Sequence, residues 1–330
     1  MWTGRETMMR YTRREVGHLA LGSLAAATLG RLGRHVEAGS LDPAFAAQTS
    51  RSRINGVRIG AITYSFNSLP NIDAIVKAFA DIGLGEVELM SNHAEAAAGA
   101  PSGRAPGGGR GRGNTPEAVA AREELRKWRQ SATPDTFKPV RRKFEDAGVT
   151  VSLLCYNMGG NITDDEIEYG FLMAQSLGAK AISTSTQVSM AKRIAPFADK
   201  HRMMVGFHNH SNLKDPDEVA TMESFTACLS YSKYHGVNLD IGHFTAANLD
   251  AVAYLDANHA RITNLHLKDR GRDQGGNVPW GQGATPIREV LTLLRQKKYD
   301  IPANIEFEYR GEAVAEVRTC FEFCKAALQG

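Results

Sequence analysis

Val237-Asn238-Leu239-Asp240-Ile241-Gly242-His243 runs from an apolar stretch into an aspartate, then across a glycine to a histidine. A short apolar run of this kind reads as a buried strand, and its acidic end lies where a parallel α/β barrel carries its chemistry. Three other segments repeat the arrangement: Phe207-His208-Asn209-His210, His266-Leu267-Lys268-Asp269 and Ile305-Glu306-Phe307-Glu308. Each follows or completes an apolar run: Met203–Phe207, Ile262–Leu265 and Ala303–Ile305. Imidazoles and carboxylates at successive strand ends can assemble one metal site from distant sequence. One such segment is weak evidence; four in register make a site.

Outward from these segments, strand-like runs alternate with amphipathic ones. The strands read as Val57–Thr63, Glu86–Met90, Val149–Cys155, Ala179–Thr184, Met203–Phe207, Val237–Asp240, Ile262–Leu267 and Ala303–Phe307. Helical patterns fall at Ile72–Ile82, Pro116–Gln130, Pro134–Ala147, Asp164–Leu177, Ser189–His201, Pro216–Tyr234, Leu249–Asn258, Ile287–Gln296 and Ala313–Leu328. Gly83, Gly148 and Gly178 stand where a helix stops before the next strand. Eight strands, each followed by a helix, predict an α/β protein with a closed (β/α)8 TIM barrel.

The chain has 330 residues, 42% hydrophobic and 23% charged, enough for one large core. Its net charge of +3, from 39 basic against 36 acidic side chains, excludes a broad nucleic-acid or membrane surface. The cysteines Cys155, Cys228, Cys320 and Cys324 form no CxxC pair, so no disulfide framework is read. Cys155 lies in an apolar strand pattern and is expected to be an inert buried thiol.

Thr12-Arg13-Arg14-Glu15-Val16 precedes the apolar stretch Leu19–Leu29, and Ala44-Phe45-Ala46 offers a cleavage site. Residues 1–46 therefore read as a twin-arginine-type (Tat) signal peptide, with a periplasmic destination. Residues 47–330 form the single barrel. Within it, Ala96–Asn114 is rich in Gly, Ala, Pro and Arg and is expected to be a flexible loop on the catalytic face.

His208 is expected to point inward as a metal ligand, with His210 on substrate or on a supporting carboxylate; both reach the mouth only if the strand end bends. Asp240 reads as a ligand or as the cap of the following turn. Gly242 lets the backbone turn sharply so that His243 faces the same cavity, as a substrate-contacting or supporting group. His266 and Lys268 share strand parity. His266 is expected to ligate. Lys268, with its pKa lowered by enclosure, is expected to move a proton, or else to pair with Asp269 or a substrate oxygen. Glu306 is the favoured last ligand, with Glu308 as the fallback.

The metal set is thus His208, Asp240, His266 and Glu306, holding one divalent ion; mixed nitrogen and oxygen donors suit Mn²⁺, with Mg²⁺, Co²⁺ or Zn²⁺ as alternatives. Glu306, Lys268 and His243 are the catalytic candidates. Glu88, Asn209, His210 and Trp280 are the substrate-binding candidates, although Glu88 could instead orient a ligand histidine or cap a loop. Tyr64 and Asn157 are further lining candidates, and Pro279–Gly283 is either a ligand-approaching loop or an ordinary turn.

Val87-Glu88-Leu89, His208-Asn209-His210, Asp240-Ile241-Gly242-His243, His266-Leu267-Lys268-Asp269, Gly281-Gln282-Gly283 and Glu306 together resemble the xylose isomerase-like barrels of the sugar phosphate isomerase/epimerase family. The resemblance covers the chain from about Gly56 onward. Ketose 3-epimerases of that family hold a divalent metal with two glutamates, an aspartate and a histidine. Asp240, His266 and Glu306 match three of these, and His208 stands where the epimerases have the first glutamate. That glutamate is one of two opposed bases, so its replacement matters. The His-x-His and His-x-Lys-Asp combination looks more like the inosose dehydratases.

The resemblance implies a metal-dependent isomerase or epimerase acting on a ketose or keto-sugar through an enediolate. Glu306, Lys268 or a metal-bound water would remove the proton beside the carbonyl. A keto-sugar dehydratase or hydratase is the alternative, differing only in loss of a β-hydroxyl. A non-catalytic periplasmic sugar-binding barrel is kept open by His208. The apurinic-site endonucleases, which need several zinc ions and a basic DNA-tracking surface, fit the balanced charge poorly. The expected partner is a small sugar, with no nucleic acid, no stable membrane association after signal removal, and a homo-oligomer left open.

Overall fold

Asn55-Gly56, with positive φ at both positions (48° and 87°), starts the described chain as a tight hairpin. Asn-Gly is a pair that tolerates this backbone. It joins β1 (Arg53–Ile54) antiparallel to β2 (Val57–Ile62). Two residues carry no readable periodicity, so β1 was absent from the strand pattern. A parallel series follows: β3 (Glu86–Met90), β4 (Thr150–Cys155), β5 (Ala181–Thr184), β6 (Met204–His208), β7 (His235–Asp240), β8 (Ile262–Leu267) and β9 (Ala303–Ile305). Each strand pairs with the next, and β9 closes on β2 through Ile59↔Ala303 and Ala61↔Ile305. The fold is the expected closed eight-stranded parallel barrel with flanking helices.

This computed structural model describes residues 51–103 and 115–330, all within one of the chain's two contact units, Leu41–Gly330. The expected signal segment, residues 1–46, and residues 104–114 of the expected loop lie outside the described residues. No helix among the described residues is long and apolar enough to cross a membrane.

The helices are α1 (Ile72–Ile82), α2 (Ser91–Ala97), α3 (Pro116–Ser131), α4 (Lys138–Asp146), α5 (Asp164–Leu177), α6 (Ala191–His201), α7 (Met222–Ser230), α8 (Ile241–Ala246), α9 (Ala251–Asn258), α10 (Ile287–Lys297) and α11 (Ala313–Gln329). Their ends follow local chemistry. Asn71 Oδ1 accepts the Ala74 amide at 3.0 Å to start α1, and Thr163 with Glu166 forms a capping box on α5. Three expectations change. Helix α2 extends to Ala97, so the expected loop begins later than Ala96. The segments Pro134–Phe137 and Val188–Met190 open their helices as 3-10 turns. The helix expected over Pro216–Tyr234 shrinks to α7. Its first residues are pinned as a loop: the Asp217 carboxylate accepts the Ser189 amide and hydroxyl, each at 2.7 Å, and the Asp217 carbonyl accepts Val188 N at 2.8 Å. All four cysteines are buried and free.

Outward strand residues such as Val87, Leu89, Val205, Phe207, Leu239 and Leu265 are fully buried under the helices. Burial of each contributes about 1.5–3 kcal/mol. Beside the barrel, His93 shows how burial of an imidazole makes folding depend on pH. Thr63 Oγ1 accepts the Met90 amide at 2.9 Å and lies 2.9 Å from His93 Nδ1. Burial pushes the His93 pKa down to about 4 and so favours the neutral ring. A group whose pKa is depressed on folding contributes stability above its unfolded value and loses it as pH falls. Urea midpoints are expected to drop between about pH 6.5 and pH 4, and less steeply in His93→Gln; parallel curves would remove His93 from the explanation.

Candidate functional site

Residues two apart on a strand share a face. On β8 and β9 this stacks Asn264, His266 and Lys268 beside Asn304, Glu306 and Glu308. Register completes the layer, pairing His208 with Asn238, Asp240 with His266 and His266 with Asn304. His208 and His210 also share parity, so the bend expected for both to reach the mouth is unnecessary.

One nitrogen or oxygen from each of His208, Asp240, His266 and Glu306 lies within 4.8 Å of the others. All four residues are buried. His208 Nδ1, Asp240 Oδ2, His266 Nδ1 and Glu306 Oε2 are each buried without a hydrogen-bond partner. His266 Nδ1 does approach Glu306 Oε2 to 2.9 Å, but without hydrogen-bond geometry. Buried polar atoms without hydrogen bonds are costly, by about 1–3 kcal/mol each. Four converging on one point fit a divalent cation, because every donor is an imidazole or a carboxylate.

Asp240 and His266 each hold their other polar atom in a hydrogen bond. Asp240 Oδ1 accepts the His243 amide at 2.7 Å and caps α8, the capping role foreseen for it, which leaves Oδ2 facing the cluster. His266 Nε2 donates to Glu88 Oε2 at 2.8 Å, which turns Nδ1 toward the cluster. Burial opposes a charge on His266, but the Glu88 and Glu306 carboxylates outweigh it and hold its pKa well above the usual range. Burial dominates at His208 and keeps that imidazole neutral.

Lys268 behaves differently from expectation. Its ammonium lies 3.2 Å from Asp240 Oδ2 and 3.0 Å from Glu306 Oε2, and it also contacts Glu308. Burial alone would lower its pKa; the three carboxylates reverse this and raise it. Asp269 is not its partner. Asp269 instead accepts the amides of Gly281, Gly283 and Thr285 at 2.8, 3.0 and 3.1 Å, and so anchors the Pro279–Gly283 turn. Asp240 shows burial winning over its neighbours: its pKa is pushed up to about 6 despite Lys268.

The cavity beside the cluster has a volume of about 200 Å³, with Tyr64, Asn157, Ser185, His210, His243 and Glu308 in its wall. His210 Nδ1 faces Glu218 Oε1 at 2.5 Å, and its Nε2 faces Ser185 Oγ at 3.3 Å. A carboxylate on Nδ1 fixes that proton and leaves Nε2 as a base. His243 has the opposite tautomer. Arg270 donates to its Nδ1, and burial keeps the ring neutral, so its proton sits on Nε2. Neither Glu218 nor Arg270 was singled out in the sequence. Glu218 fell inside an apparent helix, whereas Arg270 directly follows His266-Leu267-Lys268-Asp269 and offered that cue.

Three expected substrate contacts do not line this cavity. Glu88 is fully buried beneath it and accepts from Ser183, Asn264 (2.9 Å), Asn304 (2.8 Å) and His266. Its contact with His266 is the one expected of a residue that orients a histidine. Asn209 is also fully buried; its Oδ1 accepts Asp240 N at 2.9 Å and its Nδ2 donates to Asp240 O at 3.1 Å, pinning β7 to β6. Trp280 packs edge-on against Phe323 instead. Gly242 is needed for space rather than for a sharp turn, since a Cβ there would lie 2.8 Å from the Lys268 carbonyl. Cys155 is buried with its thiol pKa pushed well up by burial. From the Glu88 contacts, Glu88→Gln is expected to weaken Mn²⁺ affinity about 10–100-fold by calorimetry. An unchanged Kd would mean that His266 is oriented by something else.

Residues 184–327 match the family model described as a xylose isomerase-like TIM barrel. L-ribulose-5-phosphate 3-epimerase UlaE of Escherichia coli O1:K1 / APEC is 29% identical over 114 residues, 32% of this chain and 40% of the relative. The matched stretch therefore spans well under half of that relative's length. The probable 3-DHS dehydratase AsbF from Bacillus anthracis superposes with a TM-score of 0.55 at 15% identity, over 83% of this chain and 98% of that one. The IOLI protein with a bound zinc atom does so with a TM-score of 0.55 at 13% identity, over 83% and 94%. Residues 184–327 are therefore similar to the xylose isomerase-like TIM barrels, and the closed parallel barrel is the matching fold.

Proposed function

We propose that this barrel is a metal-dependent enzyme that enolises a keto-sugar, with isomerisation or epimerisation as the outcome. The observation that carries the reading is the set of four buried donor atoms, none of them hydrogen-bonded, that converge from His208, Asp240, His266 and Glu306. A divalent ion held there supplies Lewis acidity toward a substrate carbonyl. The residues around the cavity do the rest. His210, fixed by Glu218, takes a proton through Nε2 from the carbon beside the carbonyl. The Lys268 ammonium and the His243 Nε2–H donate hydrogen bonds to the oxygen that gains charge. Glu306 and Lys268 are thereby assigned to holding charge, and the base moves to His210. Similarity to an epimerase sequence supports the outcome.

Dehydration is the second reading. One histidine base facing a hydrogen-bond donor, with no second carboxylate in the position of His208, favours loss of a β-hydroxyl over a two-base epimerisation. The test is incubation of Mn²⁺-loaded protein with unphosphorylated keto-sugars in D₂O. Deuterium is expected at the carbon beside the carbonyl, with His210→Asn losing about 10²–10⁴-fold in exchange rate. Product mass separates rearrangement from water loss. Exchange at the wild-type rate in His210→Asn would remove the base assignment, and no exchange with any keto-sugar would remove the reading.

A further inference from the structure

A second cavity, of about 330 Å³, adjoins the first, and Asn157 forms part of the wall of both. It lies over the loops that follow β4 and β5, on the same face of the barrel as the cluster. Its lining combines the side-chain amides of Asn157, Asn161 and Gln187 with the guanidiniums of Arg122, Arg126 and Arg129 and the Glu166 carboxylate. Arg126 pairs with Glu123 and Glu166 (3.1 Å), and Arg129 with Glu95 (2.7 Å) and Glu166 (2.8 Å). Arg122 is not free either. With its cations engaged, the surface offers amide donors and acceptors that suit hydroxyl groups better than a phosphate or a carboxylate.

Gly160 provides an independent observation. It lines the cavity, its φ is not in the left-handed region, and a Cβ built there meets nothing within 4 Å. Neither backbone strain nor packing in the described structure requires glycine at this position. The space beside it, at the cavity wall, is free of neighbouring atoms.

We propose that this cavity receives the non-reacting part of an extended neutral substrate. That part is a second hydroxylated ring, joined to the keto-sugar ring that occupies the cavity at the cluster. The inference rests on the enolising reading above and names the substrate class of that same site. Contacts to a remote ring can raise turnover as well as lower KM.

The test uses the full Mn²⁺-loaded chain and three probes in D₂O: a keto-hexose, the same keto-hexose carrying a glucosyl group, and the keto-hexose phosphate. In the wild-type protein the glucosylated probe is expected to exchange with a kcat/KM about 10-fold above that of the plain keto-hexose. Gly160→Phe is expected to erase that advantage while leaving plain keto-hexose exchange within about twofold; Asn161→Trp serves as the second variant, filling the same cavity from a neighbouring position. Equal exchange of the two neutral probes in the wild-type protein overturns the proposal. So does a preference for the phosphate, or an advantage that survives both substitutions. Absence of exchange with all three probes overturns the enolising reading itself, and this inference with it.

Discussion

Asp240→Asn is expected to abolish Mn²⁺ binding while the barrel stays folded. The substitution keeps shape and retains an Oδ1 acceptor for the His243 amide, so the cap on α8 survives. It removes the charge on Oδ2, one of the four converging donor atoms and one that also faces the Lys268 ammonium. Losing an outer partner of a ligand weakens metal affinity about 10–100-fold, and losing a ligand's own charge should exceed that range. Calorimetry gives the affinity, and far-UV circular dichroism with a urea midpoint reports the fold. A folded variant with wild-type metal content would take Asp240 out of the ligand set.

Lys268→Met should produce the largest stability change in the protein. The ammonium is almost completely buried and contacts Asp240, Glu306 and Glu308. Removing one partner from a buried ionic group leaves uncompensated charge and costs about 3–5 kcal/mol. Urea unfolding in the presence of a chelator is expected to show a loss of that size. Mn²⁺ should restore part of it, because Asp240 and Glu306 regain a cation. Deuterium exchange should fall steeply even with metal bound, since the developing oxyanion loses a donor. A chelated variant within about 1 kcal/mol of the wild type would mean that the three carboxylates shed their charge by taking up protons instead.

Much of this site was legible because strand chemistry has period two. Asp240 and His266 mark ends of apolar runs, and parity placed Lys268 above His266 and Glu308 above Glu306 without any structure. Burial depth was not legible. Val87-Glu88-Leu89 shows a carboxylate at a strand end but not that Asn264, Asn304 and Ser183, from three other strands, surround it. Asn209 was misplaced for the same reason: its contacts are to the backbone of β7, which is remote in sequence. The raised pKa of Lys268 depends on three carboxylates from two neighbouring strands, so enclosure alone gave the wrong sign. Glu218 was hidden because Pro216–Tyr234 has a helical composition, and the interactions of Asp217 that unwind its start are tertiary.

The central claim is that four remote side chains share a single divalent ion, two through nitrogen and two through oxygen. Titration of the protein with Mn²⁺ under electron paramagnetic resonance, with nitrogen couplings read by electron–nuclear double resonance, tests it most directly. One bound Mn²⁺ per chain is predicted, with couplings from two imidazole nitrogens, one of which disappears in His208→Gln. No saturable binding, or a bound ion whose nitrogen couplings are unchanged by that substitution, would contradict the account.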